Sequence, residues 1–474
     1  MNPSVKGPAA MPEPQTSIVG TVIGAVLAAS EPARLLERHE DRLRACGPCR
    51  LIAVGKAAQA MVAAARPLLG DALRAGLVIV PSAKPGNGAD PAFPRDPAIA
   101  FFEADHPLPT QSNLAAAEAT AALVRTMLPD ESLVLLLSGG ASALLTLPAP
   151  GLTLDDLRAA TDSLLRAGAP IDELNCVRKH CEQLKGGGLA RLAAAVGKGG
   201  CPCVLALILS DVVGDKLEVI GSGPTAPDPT TYADALAVLE RFHSMSVVPA
   251  ITAHLRRGME GHVPETLKPG DPAFACVENI IIGSNTLAVE AAAAELRRLG
   301  YEVVETRTGV IGEARDVGRR LASRVRELAE EAGVGSRPRA IVWGGETTVT
   351  VRGTGTGGRN QELALAAAIA LDGCADGAVM SFATDGVDGN SDAAGAIVDD
   401  QTIADARCPG LDAQAALADN DSHTFFTRLE VAKTSSGRRM LIRTGPTGTN
   451  VNDVMIGLVL GGSGLGWTGT PCRS

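Results

Sequence analysis

Two cationic side chains stand at the beginning of a helical stretch. Lys56 follows RLIAVG and precedes AAQAMVAAA, and Arg359 opens the stretch RNQELALAAAIAL. A cation beside the free N–H groups of a helix N-terminus attracts anions, and the planar guanidinium suits a carboxylate or a phosphate bidentately. The pattern therefore indicates anion binding by Lys56 and Arg359, with a solvated surface lysine as the alternative for Lys56.

Carboxylates gather at the ends of two other apolar runs. The segment SDVVGD holds Asp211 and Asp215, and ATDGVDGNSDAAG holds Asp385, Asp388 and Asp392. Mg²⁺ is usually held by one or two carboxylates together with substrate phosphates, and a carboxylate also orients or deprotonates a hydroxyl group. The alternative is ordinary Asx-turn chemistry.

Three glycine-rich segments could approach an anion closely through their backbone. They are SGGASA (Ser138–Ala143), KGGGLA (Lys185–Ala190) and RTGPTGTNVNDV (Arg443–Val454), and Glu346 precedes Arg359 by one predicted strand. Neither SGGASA nor KGGGLA matches GxxxxGK[ST] or the dinucleotide fingerprint GxGxxG, and each of these two, taken alone, is equally typical of a turn that serves packing. In RTGPTGTNVNDV, the five threonine and asparagine side chains from Thr444 to Asn452 exceed what a plain turn needs, which predicts a neutral cradle for a phosphate or a sugar.

The elements that must position these residues alternate between short apolar strands and alanine-rich helices. Examples are RLIAVGKAAQAMVAAARPLL, SLVLLLSGGASALL and the βαβ candidate NIIIGSNTLAVEAAAAELRRLG–EVVET. This order predicts a largely parallel sheet with helices on both faces. Ligand-binding residues of such sheets lie at the carboxyl ends of the strands, which is where nearly every polar motif stands.

Size and charge narrow the class of protein. A chain of 474 residues is too long to fold around one hydrophobic core, so we predict two or three domains. We predict a disordered leader (1–16), an N-terminal domain (17–245), a C-terminal domain (246–462) and a flexible tail (463–474).

A net charge of −10 without a Lys/Arg block argues against a nucleic-acid partner. The apolar stretch Ser17–Ser30 is too short to span a bilayer. We expect a first amphipathic helix there, with a signal peptide as the alternative, and no membrane partner.

The ten cysteines do not form a disulfide framework. In CGPC, Cys46 and Cys49 precede an apolar strand, whereas a redox pair opens a helix that follows a strand. We therefore interpret CGPC as a turn and expect reduced thiols in a cytoplasmic protein.

Taken together, these motifs resemble the glycerate 2-kinase family, whose C-terminal portion is called the MOFRL domain. The matching segments, in the family's order, are GKAA, LLSGGASALL, NCVRKHCEQLKGGGLA, LSDVVGDKLEVIGSGPTAPDPTTYADAL, GSNTLAVEAA, GGETTVTVRGTGTGGRNQELALA, TDGVDGNSDAAGAIVD, NDSHTFF and TGPTGTNVNDV. The resemblance implies two α/β domains, the first Rossmann-like and doubly wound with a mostly parallel sheet, the second a MOFRL-type domain, and an active site in the interdomain cleft. It implies transfer of the ATP γ-phosphoryl group to D-glycerate with Mg²⁺, giving 2-phosphoglycerate.

Motif position in this family implies that Lys56, Asp211, Arg359 and Asp385 are catalytic. The candidates for binding nucleotide, phosphate or substrate are Ser138, Gly139, Gly140, Ser142, Lys185, Gly186, Asn285, Glu346, Asn360, Thr447 and Asn450, and the candidates for binding metal are Asp211, Asp385 and Asp388. The partners implied are small molecules, and the sequence leaves homo-oligomerisation open.

Two other functions compete with the kinase. An NAD(P)H-dependent hydroxypyruvate reductase would need a dinucleotide fingerprint and a catalytic histidine; His106, in DHPLP, is the best histidine, and its two proline neighbours favour a structural role. A non-catalytic protein that binds a sugar acid or a nucleotide could keep the anion-binding turns and lose the carboxylates, but this chain has both.

Overall fold

A computed structural model describes residues 18–82, 96–196, 204–331, 336–374, 376–432 and 439–460. The predicted leader (1–16) and tail (463–474) lie outside the described residues. The described chain divides into two compact units. The N-terminal unit contains residues 30–285 and 448–452, and the C-terminal unit contains residues 18–29, 286–447 and 453–460.

The N-terminal unit is built on a six-stranded sheet in which every neighbouring pair is parallel. Its strands are β1 (Cys49–Val54), β2 (Leu73–Pro81), β3 (Ile99–Ala104), β4 (Ser132–Leu137), β5 (Val204–Leu209) and β6 (Val277–Gly283), in the order β3-β2-β1-β4-β5-β6. This is the order of the doubly wound Rossmann folds, which confirms the predicted class of the first domain. The order reverses between β1 and β4, so their carboxyl ends flank the crevice where such folds bind ligands.

Apolar strands explain why this sheet forms. β4 (SLVLLL) and β5 (VLALIL) have no alternation of polar and apolar residues, as expected of parallel strands covered on both faces. The helices of this unit are α2 (Pro32–Glu37), α3 (Glu40–Ala45), α4 (Ala58–Leu69), α5 (Gln111–Arg125), α6 (Ala141–Leu144), α7 (Leu154–Arg166), α8 (Ile171–His180), α9 (Gly188–Val196), α10 (Tyr232–Arg241) and α11 (Pro249–Met259). Thr110, Thr153 and Thr231 begin α5, α7 and α10 with capping boxes.

The predicted domain boundary near residue 245 lies inside the N-terminal unit. Helices α10 and α11 share a buried apolar cluster with α7 and α8 that includes Leu164, Leu239 and Ile251. Strand β6, still further along the chain, pairs with β5. Because both features tie residues beyond 245 to the first sheet, the unit continues to Asn285.

The C-terminal unit contains a mixed sheet, which corrects the expectation of largely parallel strands for this half. Its strands are β7 (Glu302–Glu313), β8 (Arg339–Thr348), β9 (Gly377–Ala383), β10 (Gly395–Asp399), β11 (Leu441–Ile442) and β12 (Asp453–Val459), in the order β11-β10-β9-β12-β8-β7. Among the described strands of this sheet, β7 and β8 form the one parallel pair, and β12 lies antiparallel between β8 and β9. The predicted βαβ unit is also wrong, since β6 and β7 belong to different sheets.

Two helices supply much of the C-terminal core. They are α13 (Ala314–Glu331) and α14 (Arg359–Leu371), whose Leu321, Val325 and Leu363 are fully buried. The other helices are α1 (Ile18–Ala29), α12 (Asn285–Arg298, whose first residue is the last of the N-terminal unit), α15 (Thr402–Arg407), α16 (Ala413–Ala418) and α17 (Ser422–Ala432). Helix α1 confirms the helix predicted in Ser17–Ser30. Among the described residues, no helix is long and apolar enough to cross a bilayer.

Among the described residues, the cysteines agree with the sequence analysis except at one position. Cys46 lies in the turn before β1 and Cys49 is the first residue of that strand; both are buried free thiols, and burial raises their pKa values to about 11 and about 12. They are therefore protonated at neutral pH, which argues against redox catalysis. Cys276 is disulfide-bonded, so the expectation of reduced thiols throughout is wrong at this residue.

Candidate functional site

The carboxyl ends of β1 and β4 lie in direct contact at the point where the strand order reverses. The Lys56 amide donates a hydrogen bond to the Gly139 carbonyl oxygen at 2.8 Å. The Ser138 hydroxyl accepts from the Ala57 amide at 3.1 Å. Gly55 has φ +123°, and a Cβ there would lie 2.3 Å from the Ser138 hydroxyl oxygen, so only glycine fits this turn. These hydrogen bonds fix the backbone at Lys56, and the residue itself is exposed.

Asp211 reaches the same turns from the loop after β5. A Cβ on Gly139 would lie 1.9 Å from Asp211 Oδ2, so the missing side chain is what admits the carboxylate. Gly140 has φ +86°, and its Cβ would lie 3.3 Å from the His106 ring and 3.8 Å from Lys56 Cγ. The structure therefore brings together Lys56, both glycines and Asp211.

Asparagines from the far end of the sequence complete this group. Asn450 Nδ2 donates to Asp211 Oδ2 at 3.2 Å, and Asn452 Nδ2 donates to the Asp211 backbone oxygen at 2.7 Å. Asn285 Nδ2 in turn donates to the Val451 backbone oxygen at 2.9 Å. Of these residues, sequence analysis selected Asn285 and Asn450 as site candidates and noted Asn452 only as one of the polar side chains of the segment Arg443–Val454. We call Lys56, Ser138, Gly139, Gly140, Asp211 and Asn450 the switch-point site.

The glycine- and threonine-rich loop of residues 443–454 divides between the two units. Thr447, in the C-terminal unit, donates its hydroxyl to the Thr384 carbonyl oxygen at 2.6 Å and its amide to the Asp385 carbonyl oxygen at 3.3 Å. Asn450 belongs instead to the switch-point site. This single sequence motif therefore supplies polar residues to two separate groups.

Lys185 and Gly186 are built into the interior of the N-terminal unit. The Lys185 side chain is buried, forms an ion pair with Glu182 and donates to the Leu145 carbonyl oxygen at 3.0 Å. Burial lowers its pKa, and Glu182 opposes this shift. Gly186 has φ +55°, and its amide donates to the Ser222 carbonyl oxygen. This placement does not support the predicted substrate contact of the Lys185 ammonium group.

Ser142 is the remaining candidate of the N-terminal unit. It is half-buried, and its hydroxyl lies 2.7 Å from the Ser222 hydroxyl. Ser222 has φ +60° within the glycine-rich segment GSGP. The pair links the turn after β4 to the turn that receives Gly186.

The C-terminal unit presents Arg359 in a group of carboxylates. Arg359 Nε and Nη2 donate to Asp453 Oδ2 and Oδ1 at 2.6 and 3.0 Å, and Nη1 donates to Glu346 Oε1 at 2.7 Å. Asp453 is fully buried, and burial raises its pKa to about 7 against the pull of Arg359. The nearby carboxylates raise the pKa of Arg359, although burial opposes this shift. Sequence analysis selected Arg359 and Glu346 and missed Asp453.

Asp388 accepts hydrogen bonds from the first turn of α14, and this use of its two oxygens does not support the predicted metal role. Its Oδ1 accepts from the Asn360 amide at 3.0 Å and from Asn360 Nδ2 at 3.2 Å. Its Oδ2 accepts from the Gln361 amide and from Gln361 Nε2, both at 2.9 Å. Burial raises its pKa, and these hydrogen bonds oppose the shift. Asn360 is buried and its oxygen accepts from the Ser381 hydroxyl, so its predicted ligand contact is not supported either.

Asp385 remains a half-buried candidate just beyond β9. Its Oδ1 accepts from the Val387 amide at 3.1 Å, as in an Asx turn. In the part of the chain that the structure describes, no three His, Cys, Asp or Glu side chains form a metal-binding group. A nucleotide-bound Mg²⁺ needs only one or two carboxylates. Asp211 and Asp385 fit that role singly.

Two family models match successive segments of this chain, and a solved structure matches most of it. Residues 18–256 match a domain of unknown function (DUF4147), and residues 339–453 match the MOFRL family, so the second match ends at Asp453. The crystal structure of a glycerate kinase from Thermotoga maritima is 37% identical with a TM-score of 0.80, and the match covers 94% of this chain and 99% of that chain.

The curated relatives include proteins named as kinases and proteins named as reductases. A glycerate 2-kinase from Pyrococcus horikoshii is 40% identical over 87% of this chain and 88% of its own length. A protein from Agrobacterium vitis that is named a putative hydroxypyruvate reductase is 36% identical over 92% of this chain and 93% of its own length. With both family matches in order and this extent of identity, the chain belongs to the glycerate 2-kinase family.

Proposed function

We propose that this kinase transfers the γ-phosphoryl group of ATP to the O2 hydroxyl of D-glycerate, giving 2-phosphoglycerate and ADP. The observation that carries the proposal is the switch-point site, where Lys56, the Ser138–Gly140 turn and Asp211 meet at the crevice of a doubly wound sheet. Phosphoryl transfer depends on positioning and on charge neutralisation more than on covalent catalysis. An exposed lysine and a carboxylate at this crevice are suited to that task.

Lys56 is proposed to neutralise negative charge on the transferring phosphoryl group. Its backbone is fixed by the bond to Gly139, while its side chain is exposed and able to reach a ligand. The absence of a side chain at Gly139 brings the Asp211 carboxylate against this turn, and Gly140 places the turn beside Lys56 and the His106 ring.

Asp211 is proposed to accept the proton of the attacking hydroxyl or to hold Mg²⁺, and Asp385 is proposed for the other of these roles. Mg²⁺ bound to the nucleotide would neutralise charge on the phosphates. The Asn450 amide holds one oxygen of Asp211, which fixes the orientation of the carboxylate. Neither assignment uses Asp388, whose two oxygens are engaged by α14.

Arg359 is proposed to bind an anionic group of the substrates, either the glycerate carboxylate or the phosphoryl oxygens, in the same reaction as Lys56. The Asp453 carboxylate accepts hydrogen bonds from Nε and Nη2 of Arg359, which fix the orientation of the guanidinium. A fixed arginine fork gives geometric selectivity for planar or tetrahedral anions.

The second candidate function is reduction of hydroxypyruvate, which the name of the Agrobacterium vitis relative favours. Parallel assays separate the two functions. One follows ADP release with D-glycerate and Mg·ATP, and the other follows NADH and NADPH absorbance with hydroxypyruvate. The proposal expects D-glycerate-dependent ADP release and no oxidation of either nicotinamide cofactor. Nicotinamide oxidation without ADP release would overturn it.

A further inference from the structure

The two carboxylates that hold Arg359 differ sharply in their surroundings. Asp453 makes two hydrogen bonds to the guanidinium and has 0% of its side chain exposed. Glu346 makes one bond, to Nη1, and has 44% of its side chain exposed. Arg359 itself is 30% exposed. The guanidinium is therefore anchored by a buried carboxylate on one side and paired with a solvent-exposed carboxylate on the other.

The strand register explains this asymmetry. Asp453 is the first residue of β12 and lies opposite Gly345 of β8 and Ala383 of β9, so both flanks of its backbone are covered. Glu346 follows Gly345 on β8 and lies opposite Ile311 of β7. Either carboxylate could leave Arg359 by a side-chain rotation, but that of Asp453 has no exposed surface, whereas that of Glu346 is 44% exposed and can turn into solvent.

The local charge balance disfavours an anionic ligand while Glu346 remains in place. Arg359 is the cation among three carboxylates that act on it, those of Asp453, Glu346 and Asp388. An arriving carboxylate or phosphate would meet a net negative group, and like charges at this range repel. Removing one carboxylate from Nη1 both opens a donor and reduces the repulsion.

We propose that Glu346 is a displaceable carboxylate that occupies the anion-binding nitrogen of Arg359, and that an anionic group of the substrate replaces it there while Asp453 keeps the guanidinium in position. This inference rests on the proposed function for the identity of the anion. It changes the expected role of Glu346 from a ligand of the substrate to a competitor of it. Asp453 becomes a positioning residue.

Calorimetric titration of Glu346→Gln tests the proposal, because this change removes the charge and keeps the size of the side chain. D-Glycerate and inorganic phosphate are titrated separately, at low salt, into the wild type and the variant. Because an exposed ion pair contributes about 0.2–1 kcal/mol, we expect the anion that binds at Arg359 to bind about 1.4- to 5-fold more tightly to the variant. The KM for D-glycerate should fall while kcat does not rise.

Glu331→Gln is the matched control. Glu331 is also an exposed glutamate of the C-terminal unit paired with an arginine, Arg339, at 3.2 Å. This variant should bind both anions like the wild type. The proposed displacement of Glu346 would be wrong if Glu346→Gln bound the anions no more tightly than the wild type. It would also be wrong if neither anion bound to the wild type or to either variant.

The assays also separate this inference from the proposed function. If the wild type phosphorylates D-glycerate and Glu346→Gln binds anions no better, the displacement is wrong and the kinase assignment stands. If the wild type does not phosphorylate D-glycerate but phosphate binds more tightly to Glu346→Gln, the displacement stands and the substrate assignment fails.

Discussion

Asn450 donates a side-chain hydrogen bond to Asp211, which precedes it by 239 residues. The segment 448–452 thus returns to the N-terminal unit after the chain has passed through most of the C-terminal one. Asn452 adds a second bond, to the Asp211 backbone oxygen. A carboxylate held at both its side chain and its backbone is oriented before any ligand binds.

Replacing Asn450 tests whether this orientation matters. A hydrogen bond to a charged group contributes about 1.5–3 kcal/mol, so Asn450→Ala should lower kcat at least about 10-fold. Asn450→Asp should lower kcat further, because it sets a second carboxylate beside Asp211. Steady-state kinetics with D-glycerate and ATP measure both variants. Equal kcat in Asn450→Ala and the wild type would show that Asp211 needs no support from Asn450.

Lys56→Ala should remove a charge that acts on the transferring phosphoryl group. Loss of one preorganised electrostatic contact typically costs about 10²–10³-fold in kcat. The side chain is exposed, so the melting temperature should hardly change. Arg256→Ala, which removes an exposed cation from α11, is the control and should keep full turnover. Turnover in Lys56→Ala close to that of the wild type would refute the assigned role.

Asp453 should impose a pH dependence on turnover. Its pKa is raised to about 7 by burial, so it gains a proton as the pH falls through about 7 and then no longer accepts two hydrogen bonds from Arg359. We expect kcat to decline on the acid side of pH 7 in the wild type. Asp453→Asn should have lower kcat throughout and lack this acid limb. An identical acid limb in both proteins would exclude Asp453 as its origin.

The same shift predicts the sign of a stability effect. An unfolded aspartate has lost its proton by about pH 4, whereas folded Asp453 keeps it until about pH 7. The folded state therefore binds more protons in this window, and its free energy of unfolding falls as the pH rises. Denaturant titrations at pH 5 and pH 8 should show a smaller decrease for Asp453→Asn than for the wild type.

Lys185→Met should act on stability, because the ammonium is buried against Glu182. Breaking a buried pair by removing one partner costs about 3–5 kcal/mol. The double variant Lys185→Met, Glu182→Gln should recover part of this loss, since no buried charge is left alone. Chemical denaturation measures both. If Lys185→Met folds as stably as the wild type and only weakens substrate binding, the ligand contact predicted from the sequence is correct.

How far the sequence predicts the site depends on the range of the contacts. Lys56 and the Ser138–Gly140 turn stand out because each directly follows an apolar strand, and the parallel order then places them together. Asp388 resembles a metal ligand because an aspartate at a strand end has the same local pattern whether it binds an ion or caps a helix. Only the fold shows that its oxygens meet Asn360 and Gln361.

Asp453 illustrates a contact that sequence analysis missed but could have flagged. It begins the strand DVMIGLV, where an ionisable residue in a buried apolar run requires a partner. The pattern does not say which cation supplies it, because Arg359 is 94 residues away. The mixed order of the second sheet was unpredictable for a similar reason: β12 inserts between strands that precede it in the chain.

The most direct test of the kinase assignment is a ³¹P NMR spectrum of the product formed from D-glycerate and Mg·ATP. Phosphorylation at O2 places the phosphorus next to a carbon with one hydrogen, and phosphorylation at O3 places it next to a carbon with two. We predict a new phosphomonoester signal split into a doublet, with ADP formed in equal amount. A triplet would contradict transfer to O2, and a spectrum with only ATP, ADP and inorganic phosphate would contradict transfer to glycerate.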